Sequence, residues 1–362
     1  MLFKSIRFCF CGVIIYFFLC NNVVYAQKKT RRYAPDPKYI ESYPEYLALG
    51  MYVIAPTTSL RLETKKDTTA RSGNKVLSNY QANLSNIIGF SFGYRAIHVV
   101  WGFNVASDKQ KNKDLVASKY NSFAVRVKHH VYYLLFRYSK LQGLTDMNTQ
   151  NSSNPLSPYV KRPDIKLKEY AFEGIYNFSW RKYSYTAPLT FMQRQLKSRV
   201  GILLKTGVSY SELTADSGLV SDRESKVFDK LNDIQKIDGV SIKLAPGFGG
   251  NLILFKRVYL SAALFLAYDL YFYDYKKFSD GSRTSGTSFV VVVDGRASLG
   301  YQSERLYAGL RYEVDRRGLK FDKAQMTTEY SYVGLEFGYR FHAPKQLKRV
   351  YDAIIPSGRS RR

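Results

Sequence analysis

The sequence predicts an all-β fold, a transmembrane antiparallel β-barrel of about 12 strands (range about 10–14), on three observations. First, residues 330–341, YSYVGLEFGYRF, sort on a period of two. Val333, Leu335, Phe337, Tyr339 and Phe341 form an apolar face; Tyr330, Tyr332, Gly334, Glu336, Gly338 and Arg340 form a polar or empty one. Alternate side chains of a strand point to opposite sides, so one face suits lipid and the other a narrow interior. Second, the chain holds 31 Tyr and 23 Phe, and after residue 26 no apolar run reaches the roughly 18 residues of a spanning helix. Third, short and long connections between candidate strands alternate along nearly the whole chain, as in barrels with tight turns at one rim and loops at the other.

Residues 1–26 read as a secretory signal. Lys4 and Arg7 precede the apolar run Phe8 to Leu19, and Val24-Tyr25-Ala26 supplies a cleavage site. All three cysteines (Cys9, Cys11, Cys20) lie in this segment, so the mature chain would have no disulfide, thiolate metal site or cysteine nucleophile. Two of the 55 basic residues also lie there, leaving 53 against 29 acids and a net charge of +24. Nucleic acid is a common partner of so basic a chain, but an exported one rarely meets it. Anionic lipid, lipopolysaccharide or cell-wall polymer fits better.

Residues 27–45 (KKTRRYAPDPKYIESYPE after Gln27) read as a mobile periplasmic arm. The barrel is expected over 46–341, with its first strand at 46–63 interrupted at Pro56, which lacks a donor for a ladder. Residues 64–84 read as a polar loop. Ile88, Phe90, Phe92 and Tyr94, then Ile97, Val99, Trp101 and Phe103, mark a tight hairpin. Residues 119–128 and 131–140 form another, turning at His129-His130. Strands are expected at 167–177, 198–210, 240–254, 258–274, 287–301 and 306–315 before the last. Residues 178–197 (FSWRKYSYTAPLTFMQRQLK) break the short-turn rule, with four bases, no acid and weak periodicity. Residues 342–362 read as a basic periplasmic tail, with a short helix at 344–354.

Tyr332-x-Gly334-x-x-Phe337-x-Tyr339, followed by Phe341, resembles the C-terminal assembly signal of Gram-negative outer-membrane barrels. Further matches are Arg162-Pro163-Asp164-Ile165, Tyr176-Asn177-Phe178, Tyr183-Ser184-Tyr185-x-Ala187 and Gln193-x-Gln195-x-Lys197-Ser198, with Asn79-Tyr80-x-x-Asn83 and Gly338-Tyr339-Arg340-Phe341. Together they resemble an uncharacterised, domain-of-unknown-function family of such barrels. Arg199-Val200 depart from that family's pattern, which continues with small residues. The resemblance implies an outer-membrane location and assembly by the barrel-assembly machinery; it implies no activity, cofactor or catalytic residue.

The alternation sends nine bases inward: Arg126, Lys128, Arg137, Arg199, Lys205, Lys243, Arg296, Arg311 and Arg340. Five acids accompany them: Glu173, Asp269, Asp294, Glu313 and Glu336. Such a set either fills the lumen with ion pairs or, through its positive surplus, lines a passage for small anions. A lipid hydrolase would need a Ser-His pair and an orienting acid. Among four histidines only His98 points inward, facing Gly93 with Ser91 diagonal to it, and no acid lies in that hairpin. There is no HExxH and no cysteine for a metal, and the seven acids of Glu212 to Asp238 lack calcium-loop spacing. Gly247-x-Gly249-Gly250 lies mid-strand, where glycine makes room rather than cradling phosphate. The expectation is a non-enzymatic envelope protein without metal or cofactor, with a charged, largely filled lumen. Its partners would be lipid, lipopolysaccharide and a periplasmic protein or the cell wall, met through Arg181, Lys182, Arg194 and Lys197.

Overall fold

The computed structural model describes residues 34–65, 75–104, 114–147, 159–216, 218–220, 233–321 and 324–354; the expected signal at 1–26 lies outside them. Period-two alternation drives the architecture. Fifteen strands form among the described residues: β1 (Ile40–Ser42), β2 (Tyr46–Lys65), β3 (Lys75–Gln81), β4 (Ile87–Tyr94), β5 (Ile97–Asn104), β6 (Lys119–Lys128), β7 (Tyr132–Asp146) and β8 (Val160–Asn177) come first. After a one-turn helix α1 (Ala187–Thr190) follow β9 (Gln193–Gln195), β10 (Arg199–Thr214), β11 (Ile234–Leu254), β12 (Val258–Lys277), β13 (Arg283–Gln302), β14 (Leu306–Phe321) and β15 (Ala324–His342).

Twelve of these, all but β1, β3 and β9, form an antiparallel ring. Its seam is β15 against β2, in continuous register from His342↔Tyr46 to Ala324↔Thr64. Closure is what lipid demands, because no water is present to satisfy an open edge. Outward positions carry Phe90, Phe92, Trp101, Phe248, Leu264, Leu266, Val333, Leu335 and Phe337, all exposed on the monomer surface. This apolar belt is what a bilayer would cover.

Two departures from the sequence reading have physical causes. The region 64–84, expected as loop, contains β3, which pairs with the far half of β2 from Lys65↔Lys75 to Ser59↔Gln81. β4 and β5 have only 8 residues each, against 20 for β2, so β4 covers β2 only from Leu47 to Ile54. β3 occupies the vacant edge beyond and reaches β7 at Tyr80↔Asp146. Pro56 falls in the gap between the two partners, where its missing donor is not needed on that side.

Secondly, most strands outrun the sequence estimate. β11 has 21 residues and β12 has 20, about twice the 9–11 that a tilted strand needs to cross the hydrocarbon. The inward residues of these extensions (among them Ile165, Leu213, Ile237 and Phe321) pack with Leu62 of β2 and Tyr80 of β3 into an apolar cluster at the loop rim. The C-terminal segment is a separate unit, in which helix α2 (Lys345–Ile354) starts with the Lys348 amide donating to Pro344 O.

The belt makes a depth-dependent prediction. Leu264→Arg, well inside it, should destabilise the barrel by about 2–4 kcal/mol, whereas Leu260→Arg, two residues into β12, should cost about 1 kcal/mol or less. Equilibrium urea unfolding in lipid vesicles measures both.

Candidate functional site

The chain between Asn177 and Arg199 is where this barrel departs from a simple wall. Its two ends are neighbours, because β8 pairs with β10 from Asn177↔Leu203 outward. A short turn would have joined them. Instead residues 183–193 are all buried, and they fill the ring at its short-turn rim.

The segment folds on local hydrogen bonds. Asn177 donates from Nδ2 to Tyr183 O (2.8 Å) and its Oδ1 accepts from the Ser179 amide (3.0 Å), reversing the chain. Pro188 presets the first turn of α1, the Ala187 amide donates to Ser184 Oγ (3.1 Å), and Phe191 ends the helix with φ of 54°. Gln193 Oε1 accepts from Ser184 Oγ (2.8 Å) and Thr186 Oγ1 (3.0 Å). β9 then pairs with β1, in register Ile40↔Gln195 to Ser42↔Gln193. Residues 40–42, expected in a mobile arm, are therefore one strand of a two-stranded sheet with the plug.

The barrel wall is shaped to receive this plug. Asn251 of β11 donates to Ser184 O (2.9 Å), Gln302 of β13 to Ala187 O (3.0 Å), and Arg311 of β14 to Leu189 O (3.0 Å). Arg296 donates to the Tyr185 hydroxyl. Phe191 stacks on Tyr307 with centroids 4.4 Å apart. Gly201 and Gly249 form the seat of the Tyr183 ring; a Cβ on either would collide with it. A cavity of about 10 Å³ beside Ala187, Pro188 and Tyr259 has room for roughly one water.

Arg340 is the main latch. It is fully buried and donates from Nε to Phe191 O (2.7 Å) and from Nη1 to Ser303 O (2.6 Å) and Glu304 O (3.1 Å). Its guanidinium lies 4.2 Å from the Tyr43 ring centroid and 5.2 Å from that of Tyr307. One side chain of the last strand thus grips the plug, a turn of the wall and the residues just before β2. Five fixed donors and a flat cation suit such a hub; lysine could not replace it.

Farther in, the interior is ionic. Lys205 lies 2.9 Å from Asp294, 3.4 Å from Glu173 and 3.6 Å from Asp315. Lys243 lies 3.1 Å from both Asp294 and Asp315. Arg137 reaches Asp315 (3.0 Å) and Glu169 (3.2 Å), and Arg317 reaches Glu169 (2.9 Å). Bases and acids are equal in number within this network. Two satellites flank it: Arg296 with Glu313 (2.9 Å), and Arg311 with Glu336 (3.4 Å), which also accepts from Ser91 Oγ (2.7 Å).

Of the sequence-read lumen residues, Arg137, Glu173, Lys205, Lys243 and Asp294 meet in the network; Arg296, Glu313, Arg311 and Glu336 form the satellites. Asp269 is buried, accepts from Ser241 and stands opposite Lys243 on the neighbouring strand. Arg126 is half-buried opposite His98, and Lys128 is buried at the short-turn end of β6. Arg199 has the inward parity but is exposed, because it is the first residue of β10 and sits below the plug. Its place in the lumen is corrected to the rim. Glu169, Asp315 and Arg317 were missed. They continue the inward parity of Glu173 and Glu313, but the sequence reading ended their strands too early or passed over them. Adding them cuts the lumen's apparent positive surplus.

His98 is 2% exposed, and no carboxylate pairs with it among the described residues, so no triad forms with Ser91. No group of three metal-ligating side chains occurs among the described residues. Of the four bases read as a periplasmic contact, Arg181, Lys182 and Lys197 are exposed, while Arg194 is half-buried and pairs with Glu41 (2.7 Å).

Residues 34–341 match the family model described as Domain of unknown function (DUF4421). The chain belongs to this family. Among curated proteins none matches it in sequence. Among solved structures it is similar to the outer membrane protease OmpT from Escherichia coli, at 11% identity and a TM-score of 0.39, covering 83% of this chain and 98% of that one. It is also similar to the translocator domain of the autotransporter NalP from Neisseria meningitidis (13%, 0.27, 81% and 89%). The P. putida toluene transporter TodX gives 7%, 0.26, 83% and 91%.

Two predictions follow from the plug's attachments. Arg340→Ala leaves the buried Phe191 carbonyl and the part-buried carbonyls of Ser303 and Glu304 without their donor, and should weaken plug docking by about 1–3 kcal/mol. Hydrogen exchange should rise across 183–195 while β11 and β12 stay protected. The second concerns His130, in the turn between β6 and β7. Its Nδ1 is 2.6 Å from Gln193 Nε2, whose orientation is fixed because Oε1 already accepts from Ser184 and Thr186. Nδ1 must therefore accept, which requires a neutral ring. Burial, then the nearby Lys128 and His129, push its pKa down to about 3. The unfolded chain, with a value of about 6.5, takes up the proton first, so this contribution is whole above that pH and is lost as the pH falls toward 3. Protease protection of the plug should decline across that window, and His130→Asn should flatten the decline.

Proposed function

We propose that this protein is a non-enzymatic barrel of a Gram-negative outer membrane, plugged at its periplasmic rim, that acts as a structural and partner-binding element of the envelope rather than as an open pore. The observation that carries this reading is the fit between plug and wall. Backbone carbonyls of Ser184, Ala187, Leu189 and Phe191 each receive a donor from a different strand of the ring. A lumen built for solute flow gains nothing from such a set, whereas a permanent stopper needs it, since each unmet buried group costs about 1–3 kcal/mol.

The charge balance supports the same reading. The central network has matched signs and short distances, so it has little field left over to select an ion. The short-turn rim is the periplasmic one in this proposal, which places Arg181, Lys182 and Lys197 where a periplasmic protein, the cell wall or lipid headgroups can meet them. Lipopolysaccharide would face the loop rim. Ser91 donates to Glu336 rather than to His98, and no carboxylate orients His98 among the described residues, which argues against the hydrolase reading.

One feature favours the alternative, a narrow passage for small anions: Lys128 is buried and no carboxylate pairs with it among the described residues. Planar-bilayer recording decides between the two. The native protein should show no steady conductance, and a variant with residues 179–197 replaced by a short turn should open a channel. Steady anion-selective current through the native protein would overturn the plugged reading.

A further inference from the structure

Three cations at the short-turn rim are gathered on one aromatic ring. The guanidinium of Arg199 lies 4.6 Å from the centroid of Tyr39, Lys197 Nζ lies 5.3 Å from it and Lys182 Nζ 5.4 Å. Arg199 also donates to the Tyr39 hydroxyl (2.8 Å). All three are exposed, and none is paired with a carboxylate among the described residues. Like charges this close repel, so without a counter-ion side chains this long would spread into solvent. The ring face offsets only part of that repulsion.

The cluster is built from beneath. Gln195, 4% exposed, points its Nε2 at three backbone carbonyls, those of Lys182 (2.7 Å), Lys197 (3.0 Å) and Tyr39 (3.2 Å). These are three of the four residues of the cluster. Its Oε1 accepts from the Ser184 amide (2.8 Å) and from Asn251 of the wall (3.3 Å). The Leu196 amide donates to Tyr39 O (2.7 Å). A single buried amide therefore holds together the backbones that carry Tyr39, Lys182 and Lys197 and ties them to the barrel. The charges act on the ring as well: Arg199 first, then Lys182 and Lys197, hold the Tyr39 phenol below its usual range.

The place of the cluster selects its ligand. Arg199 is followed at once by Val200 (80% exposed), and Ile202 (65%) comes next on the same face. Phe178, 58% exposed, lies beside Ile202, whose carbonyl receives its amide (3.1 Å). The apolar belt thus begins one residue beyond the cations, so they stand at headgroup depth. We propose that Tyr39, Lys182, Lys197 and Arg199 form a binding site for the phosphate of an anionic phospholipid in the membrane leaflet at this rim. This deepens the envelope reading above and rests on it. Cell-wall carboxylates would ask for the same charge but not for an adjoining apolar strip.

Native mass spectrometry of the purified full chain, delipidated in detergent, tests the site with phosphatidylglycerol, phosphatidylcholine and inorganic phosphate as separate probes. The protein should retain phosphatidylglycerol in preference to phosphatidylcholine. The triple variant Lys182→Gln, Lys197→Gln, Arg199→Gln should lose that preference, at about fivefold per cation removed. Arg199→Gln alone should give a partial loss, and Lys256→Gln, on the β11–β12 turn, none. Equal retention of the two lipids, or a preference untouched by the triple variant, overturns the site while leaving the barrel reading intact. Competition by inorganic phosphate at the lipid's own concentration overturns it in favour of a soluble anion, and binding of cell-wall fragments without lipid does so in favour of the wall. Failure of the native protein to enter vesicles at all removes both the site and the envelope reading.

Discussion

Every feature of this molecule depends on one constraint: backbone amides and carbonyls placed in hydrocarbon must find partners within the chain. The ring meets it by bringing β15 back to β2 along their whole length. Once the ring is closed, alternation leaves no freedom about where side chains go. Residues of one parity enter the lipid, those of the other enter a lumen whose width is set by twelve strands. The chain fills that lumen three ways, with an apolar cluster at the loop rim, ion pairs at mid-depth and a folded segment at the turn rim.

The three fillings obey different physics. The apolar cluster lies in the strand extensions, where it needs only area removed from water. Ion pairs in the middle are expensive to desolvate singly, so they are shared: Lys205 touches three acids and Asp315 touches three bases. Removing one member strands several others, so the network is costly to break singly even where it adds little net stability. The plug carries almost no charge of its own into the lumen and relies on carbonyls, amides and rings. That is why its contacts are made by Asn251, Gln302, Arg311 and Arg340, one from each of four strands.

The wall was legible in the sequence because a period of two is a local signal. Val333, Leu335 and Phe337 point to lipid whatever the neighbouring strands do, and the ring of twelve follows from the rhythm of the turns. The strand ends were not legible. Arg316 and Arg317 look like the start of a charged loop, and only the pairing of Arg317 with Thr328 across the hairpin shows that the ladder continues. The plug was visible as an anomaly, without its location. Its signature was divided between distant places: glycines 201 and 249 on an inward face, an inward Arg340, and the glutamines 193 and 195 in a segment that otherwise reads as a basic loop. None of these has meaning until the strands bearing them are side by side. The same holds for Tyr39, whose role depends on residues some 150 positions away.

The position of Arg340 in the chain has a consequence of its own. It lies two residues from the end of the final strand, so it is among the last parts of the wall to be synthesised. A chain stopped before this point would lack its seam and its stopper's fastening together. An unfinished product would thus leave the edge of β2 unpaired and the 183–193 segment without its Arg340 contact, a gross defect instead of a subtle one.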